Sequence, residues 1–263
     1  MGHDLFIVDA FTGSPFRGNP AAVCILDSPG DPAWMQQVST ELHYSETAFL
    51  SPQNDGWNLR WFTPKQEVDL CGHATLAAAF VLWEMKRVGQ ECCITLETKS
   101  GTLTASRKDR WIYLDFPAEP AREIAAIPEL EIALGVKPIY VGKNRFDLLI
   151  ELPNADDVCD GEPDFSALAK LPFRGFIVTA SSDLKDVDFV SRFYAPAVGV
   201  SEDPVTGSAH CCLGPYWGKK LNKTDLSGFQ CSARGGTVNI RLMGKRVILS
   251  GHAVMIVSGE LLV

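Results

Sequence analysis

Four short segments carry residues suited to moving a proton and holding an anion. They are Arg17-Gly18-Asn19-Pro20, Tyr44-Ser45-Glu46-Thr47-Ala48-Phe49, Asp69-Leu70-Cys71-Gly72-His73-Ala74-Thr75 and Glu202-Asp203-Pro204-Val205-Thr206-Gly207-Ser208-Ala209-His210. Glu46 stands just before the apolar run Thr47 to Leu50. A carboxylate at the mouth of an apolar strand is partly desolvated, which raises its pKa toward the range useful to a general base. The competing reading is a solvated edge-strand glutamate, and the pattern alone leaves both open. His73 follows Gly72 at a predicted helix start, where an imidazole can give or take a proton near neutral pH or simply cap the helix at the surface. Asp203 precedes Pro204 and suits either a site or an ordinary turn.

The third and fourth segments share a second property, since in both a loop enters a predicted helix. A helix N-terminus presents unpaired N–H groups and a partial positive charge. Gly72 and Gly207 let a ligand approach the backbone, and Thr206 and Ser208 can contact it. Two such starts would form a paired cradle for a carboxylate. Ordinary capping explains Thr206 and Ser208 alone, but it does not require the Gly-His and Gly-Ser pairs to recur at one spacing.

That spacing comes from an internal repeat. Gly72 and Gly207 are 135 residues apart. Gly101-Thr102-Leu103 and Gly236-Thr237-Val238 share this offset, as do Trp111 to Leu114 and Arg246 to Leu249. Upstream, Gly18-Asn19-Pro20 and Lys143-Asn144-Arg145 match more weakly at an offset of 125. The chain therefore reads as two homologous halves, 1–117 and 118–263. In the first half, strands are expected at Leu5 to Ala10, Ala21 to Leu26, Thr47 to Leu50 and Leu59 to Thr63, with a short helix over Pro32 to Leu42. A central helix over 72–86 follows, apolar on every face and hence buried. Then come strands at Cys93 to Lys99, Gly101 to Arg107 and Trp111 to Phe116. The second half repeats this order around a helix over 207–221, which Pro215 should kink or shorten. The implied fold class is α+β, a strand-rich shell around one buried helix, made twice. The cleft between the halves is then the expected ligand site, with Gly72-His73 and Gly207-Ser208 facing each other.

The 263 residues are 46% hydrophobic and 21% charged, with a formal net charge of -8, which suits a globular protein with a core. An acidic chain without a basic run is a poor nucleic-acid binder. No run approaches the ~20 apolar residues of a membrane span and no signal segment is recognisable, so no membrane partner and a cytoplasmic location are expected. The eight cysteines include two adjacent pairs and no C-x-x-C, so most read as small buried hydrophobes rather than a disulfide framework. Cys71 and His73 lack a second ligand pair, so no metal is expected. There is no dinucleotide fingerprint, P-loop or nucleophile elbow.

Taken together, the four segments resemble the phenazine biosynthesis-like (PhzF) family, and the resemblance runs from Ile7-Val8-Asp9-Ala10-Phe11-Thr12 to the Gly235-Gly236 hairpin. It implies a diaminopimelate epimerase-like fold: two similar halves, each a curved, mainly antiparallel, barrel-like sheet around a central helix. It also implies a cofactor-independent isomerase acting on a small carboxylate with an acidic C–H, with homodimers common in the family. Carried onto this sequence, Glu46 is the acid/base residue, and His73, Asp203 and Ser208 complete the catalytic set. Asn19, Ser45, Gly72, Thr206 and Gly207, in the same segments, are expected to bind substrate. Two other readings remain. A racemase of the neighbouring two-cysteine type would use Cys71 at the first helix start and Cys211 near the second. A non-catalytic binding or regulatory protein would keep the site without turnover.

Overall fold

The computed structural model describes residues 2–263. The chain divides into two compact units. The first runs to Asp115 and takes back Ser250–Val263, and the second is Phe116–Leu249.

The first unit is built on β1 (His3–Ala10), β2 (Asn19–Ile25), α1 (Pro32–Leu42), β3 (Thr47–Gln53), β4 (Gly56–Phe62), β5 (Glu67–Val68), α2 (Gly72–Glu84), β6 (Ile94–Thr98), β7 (Gly101–Lys108) and β8 (Trp111–Pro117). The second holds β9 (Arg122–Glu123), α3 (Pro128–Leu134), β10 (Tyr140–Lys143), β11 (Leu148–Glu151), α4 (Ala155–Cys159), α5 (Phe165–Leu168), β12 (Phe176–Ser181), β13 (Phe189–Ala195), β14 (Val200–Asp203), α6 (Gly207–Leu221), β15 (Asp225–Gln230), β16 (Gly236–Met243) and β17 (Arg246–Gly251). The last strand, β18 (Ala253–Leu261), pairs antiparallel with β1 from His3↔Leu261 to Ala10↔Ala253. A cut at residue 117 would leave β18 with the second half, whereas its ladder joins it to the first strand.

The class is α+β with mainly antiparallel pairing. Within the first unit β1–β2, β3–β4, β6–β7 and β7–β8 are antiparallel, while β2–β3 and β4–β6 are parallel. The second unit repeats the pattern: β10–β11, β12–β13 and β15–β16 are antiparallel, and β11–β12 and β13–β15 are parallel. The repeat read from the sequence is thus a repeat of topology. β7 and β16 begin at Gly101 and Gly236, and α2 and α6 at Gly72 and Gly207. In the strands that follow the upstream match, Ala22 N donates to the Glu46 carbonyl and Leu148 N to the Gly175 carbonyl, so β2 and β11 align at an offset of 126, one more than the segments before them.

Each unit buries a helix. α2 packs on β1, β2 and β3, and Ala74, Leu76, Ala77, Ala78, Ala79, Val81, Leu82 and Trp83 are all sealed from solvent, as its all-round apolarity requires. α6 packs on β15 and β16. It is not shortened at Pro215 but continues to Leu221. Proline has no N–H to donate to the carbonyl four residues back. That carbonyl, Cys211 O, instead accepts from Glu119 N at 3.0 Å.

The cysteine expectation holds only in part. Cys24, Cys71, Cys211 and Cys212 are buried, but Cys92 and Cys93 are exposed. Cys159 at the end of α4 forms a disulfide with Cys231, just after β15. The partners are 72 residues apart in sequence, so no local spacing announces the bond.

Candidate functional site

In the first unit three loops bring Asn19, Ser45, Glu46, Cys71 and His73 together. Asn19 opens β2, where it pairs with Ala10. The preceding Gly18 has φ +65, and a Cβ there would stand 2.1 Å from the Ala10 carbonyl oxygen, so only glycine fits the turn that delivers Asn19. Ser45 and Glu46 lead into β3, whose first residue, Thr47, pairs in parallel with Ala22. Cys71 is the N-cap of α2, and His73 lies in its first turn.

The imidazole of His73 is the hub. Its Nδ1 is 3.1 Å from Asn19 Nδ2 and 3.5 Å from Cys71 Sγ. Its Nε2 is 3.3 Å from Ser45 Oγ and 3.3 Å from Glu46 Oε2. Asn19, Cys71 and His73 are buried, while the Glu46 side chain keeps 20% of its surface open. Burial holds the His73 pKa below its ordinary value, and the Glu46 charge opposes this without reversing it. Burial therefore works against the charged form of the ring.

Donor atoms of Glu46, Cys71 and His73 lie within 4.8 Å of one another. A single ion takes one ring nitrogen at about 2.0–2.1 Å. Here the thiol is closest to Nδ1 and the carboxylate to Nε2, so the group is arranged around the ring rather than around a common point.

In the second unit the Asp203–Ser208 segment is clamped from several sides. Arg192 binds Glu202 through Nε and a terminal nitrogen at 2.7 and 2.9 Å, and it donates to the Gly161 carbonyl at 2.6 Å. Asp203 accepts a short bond from Thr206 Oγ1. The buried Gln230 side chain accepts from Thr206 N at 2.8 Å and donates to the Asp203 carbonyl at 2.6 Å. Gln230 was not singled out in the sequence. The available signal was a polar residue on the inward face of β15, in phase with the buried Leu226 and Gly228.

The helix starts differ from ordinary caps. Asp31 caps α1 through Trp34 N at 2.9 Å, and Asp164 caps α5 through Ala167 N at 3.0 Å. At α2 and α6 the N-cap residues Cys71 and Thr206 make no side-chain cap bond. Thr206 instead turns its hydroxyl to Asp203. Ser208, one residue into the helix, is half-buried.

The repeat also bears on the two-cysteine arrangement. The counterpart of Cys71 is Thr206, and that of His73 is Ser208. Thr75 and His210, also equivalent, each bond the N-cap carbonyl four residues back. Cys211 lies one residue further into the helix, fully buried, and burial drives its thiol pKa strongly upward. A thiol base needs the opposite shift.

Glu46 has a counterpart of another kind. The bond from Ala22 N to the Glu46 carbonyl, 3.3 Å, recurs from Leu148 N to the Gly175 carbonyl, 3.0 Å. Gly175 has no room for a side chain. A Cβ there would stand 2.4 Å from the Phe193 ring and 2.8 Å from Asp147 Oδ1.

Among the described residues no helix is long and apolar enough to cross a membrane. Residues 8–259 match the family of phenazine biosynthesis-like proteins. An uncharacterized isomerase of Halalkalibacterium halodurans is 54% identical over 263 residues, covering 100% of this chain and 99% of that one. The crystal structure of a PhzF-family protein from Enterococcus faecalis superposes with a TM-score of 0.95 at 45% identity, covering all of both chains. A hydroxyproline epimerase from Agrobacterium vitis shares the fold at a TM-score of 0.65 and 13% identity, over 99% of this chain and 92% of that one. The fold is accordingly of the epimerase-like kind. With nearly its whole length matched, and with Glu46 and His73 set together by that fold, the chain belongs to the phenazine biosynthesis-like protein family.

Proposed function

We propose that this chain is a cofactor-independent isomerase that moves a proton on a small carboxylate substrate, with Glu46 as its acid/base group. The observation that carries this reading is the contact of the Glu46 carboxylate with His73 Nε2 at 3.3 Å, together with the absence of room for any side chain at its counterpart, Gly175. The repeat thus carries a carboxylate at this position in one half only. Close relatives that bear the name isomerase agree with the reaction class.

In this proposal Glu46 removes a proton from carbon next to a carboxylate or conjugated system. Such carbon is weakly acidic, so the developing negative charge must be stabilised as the proton leaves. The N-terminal turn of α2, which begins at Gly72, is assigned to the carboxylate and that charge. His73, beside Glu46, holds a substrate polar group. The proton returns at a different carbon, the electron count is unchanged, and no redox partner is needed. The test is exchange of solvent deuterium into a panel of small carboxylates bearing acidic C–H bonds. Wild type should exchange and isomerise at least one of them. Glu46→Gln should lose about 10²–10⁴-fold in that rate, whereas an undiminished rate in the variant rejects the assignment.

A further inference from the structure

We propose that Asn19 is a positioning residue that fixes His73 as the Nε2–H tautomer, so that the ring presents its one proton to Glu46 and Ser45. The inference concerns the same site and rests on the reading of Glu46 only for what the tautomer does in the reaction.

The argument is a matching of donors to acceptors on both sides of one ring. A neutral imidazole has one N–H donor and one acceptor nitrogen. At Nδ1 the neighbours are the Asn19 amide nitrogen at 3.1 Å and the Cys71 sulfur at 3.5 Å. An amide nitrogen only donates, and a thiol can donate. At Nε2 the neighbours are the Ser45 hydroxyl and the Glu46 carboxylate, each at 3.3 Å. An ionised carboxylate only accepts. With the proton on Nε2 every contact is complementary. With the proton on Nδ1, an N–H would point at the Asn19 N–H₂ group and a bare lone pair would face the Glu46 carboxylate. Buried groups bear such mismatches poorly. Asn19 and His73 are 0% and 3% exposed, so water has little room to relieve them.

Asn19 is itself held in place. It lies in the β1–β2 ladder opposite Ala10 and follows the glycine-dependent turn at Gly18. Its amide therefore has a fixed origin from which to read the ring, although the two residues are 54 positions apart in sequence.

The tautomer narrows what His73 does. With Nε2 already protonated, His73 cannot accept the proton that Glu46 removes. Its Nε2 hydrogen-bonds Ser45 and stands 3.3 Å from the resting carboxylate, where it acts on Glu46 through charge. The proton then stays on the Glu46 carboxyl until the same oxygen returns it to the substrate. The opposite tautomer would suit a Cys71 thiolate accepting from Nδ1–H, which is the arrangement a thiol base needs.

The ring state is read directly by histidine side-chain ¹⁵N NMR on the full chain, with no substrate present. The expected spectrum has His73 Nδ1 at the unprotonated position and Nε2 at the protonated one at pH 7. In Asn19→Asp a carboxylate replaces the donor at Nδ1, and the proton should move to Nδ1. In Cys71→Ala, which leaves the Asn19 amide in place, the wild-type tautomer should persist. Protonated Nδ1 in the wild type overturns the proposal. So does loss of the Nε2–H tautomer in Cys71→Ala, which would make the thiol the determinant, and so does an unchanged ring in a folded Asn19→Asp. If Asn19→Asp does not fold, the wild-type and Cys71→Ala spectra still decide. None of these readings depends on turnover, so failure here is separable from failure of Glu46 as the base.

Discussion

Glu46 and Gly175 occupy the same position in the two repeats, each accepting a backbone hydrogen bond from the residue that opens the neighbouring parallel ladder, Ala22 and Leu148. One position carries the carboxylate and the other cannot carry any side chain. The Gly175 site is closed by the Phe193 ring and by Asp147, which is itself bound bidentately by Arg174 at 2.8 and 2.6 Å. Gly175→Ala should therefore destabilise the protein by about 1–3 kcal/mol, the usual cost of overpacking a filled site. Urea unfolding checks this, and an unchanged midpoint would mean that the site is open.

Gln230 joins β15 to the segment that enters α6. Gln230→Leu keeps the volume but strips partners from Thr206 N and the Asp203 carbonyl. An unsatisfied buried polar group costs about 1–3 kcal/mol. A loss of that size is expected, together with weaker protection of the Thr206 amide in hydrogen exchange. Protection equal to wild type would show that Thr206 is held by other contacts.

The pH dependence of stability should carry a histidine signature. His210 is fully buried, its Nδ1 donating to the Thr206 carbonyl at 2.8 Å, and burial lowers its pKa from 6.5 to about 4. The folded state thus favours the neutral ring. The contribution is complete above pH 6.5 and is lost as the pH falls toward 4, because the unfolded chain binds the proton first. Between pH 7 and pH 4 the wild type should lose about 3 kcal/mol more than His210→Leu. Parallel stability curves for the two proteins would contradict the buried neutral ring.

The disulfide makes a separate prediction. Non-reducing peptide mapping should recover Cys159 linked to Cys231, with the other cysteines open to alkylation after unfolding. Cys159→Ser should cost about 2–4 kcal/mol. Recovery of both cysteines as free thiols from the unreduced protein would remove the bond from the account.

These features mark where the sequence could be read and where it could not. α1 at Pro32–Leu42 and α6 at Gly207–Leu221 begin and end where their patterns place them, because apolar period and turn residues are local signals. Glu46 and His73 could be singled out because each stands beside a run that defines an element. What stayed hidden depends on distant partners. Asn19 reaches His73 across 54 residues, Gln230 reaches Thr206 across 24, and Cys159 meets Cys231 across 72. No local pattern encodes such a meeting. The matching role of Gly175 became visible only when the two ladders were aligned by their hydrogen bonds.

The central claim is that one carboxylate, not a pair of thiols, moves the proton. The direct measurement compares solvent-deuterium exchange into a substrate found by the carboxylate panel for wild type, Glu46→Gln and Cys211→Ala. Exchange should fall about 10²–10⁴-fold in Glu46→Gln and stay within a few-fold of wild type in Cys211→Ala, whose thiol is sealed in the core of α6. Wild-type exchange in Glu46→Gln, with loss in a folded Cys211→Ala, would contradict the account and give the chemistry to the thiols.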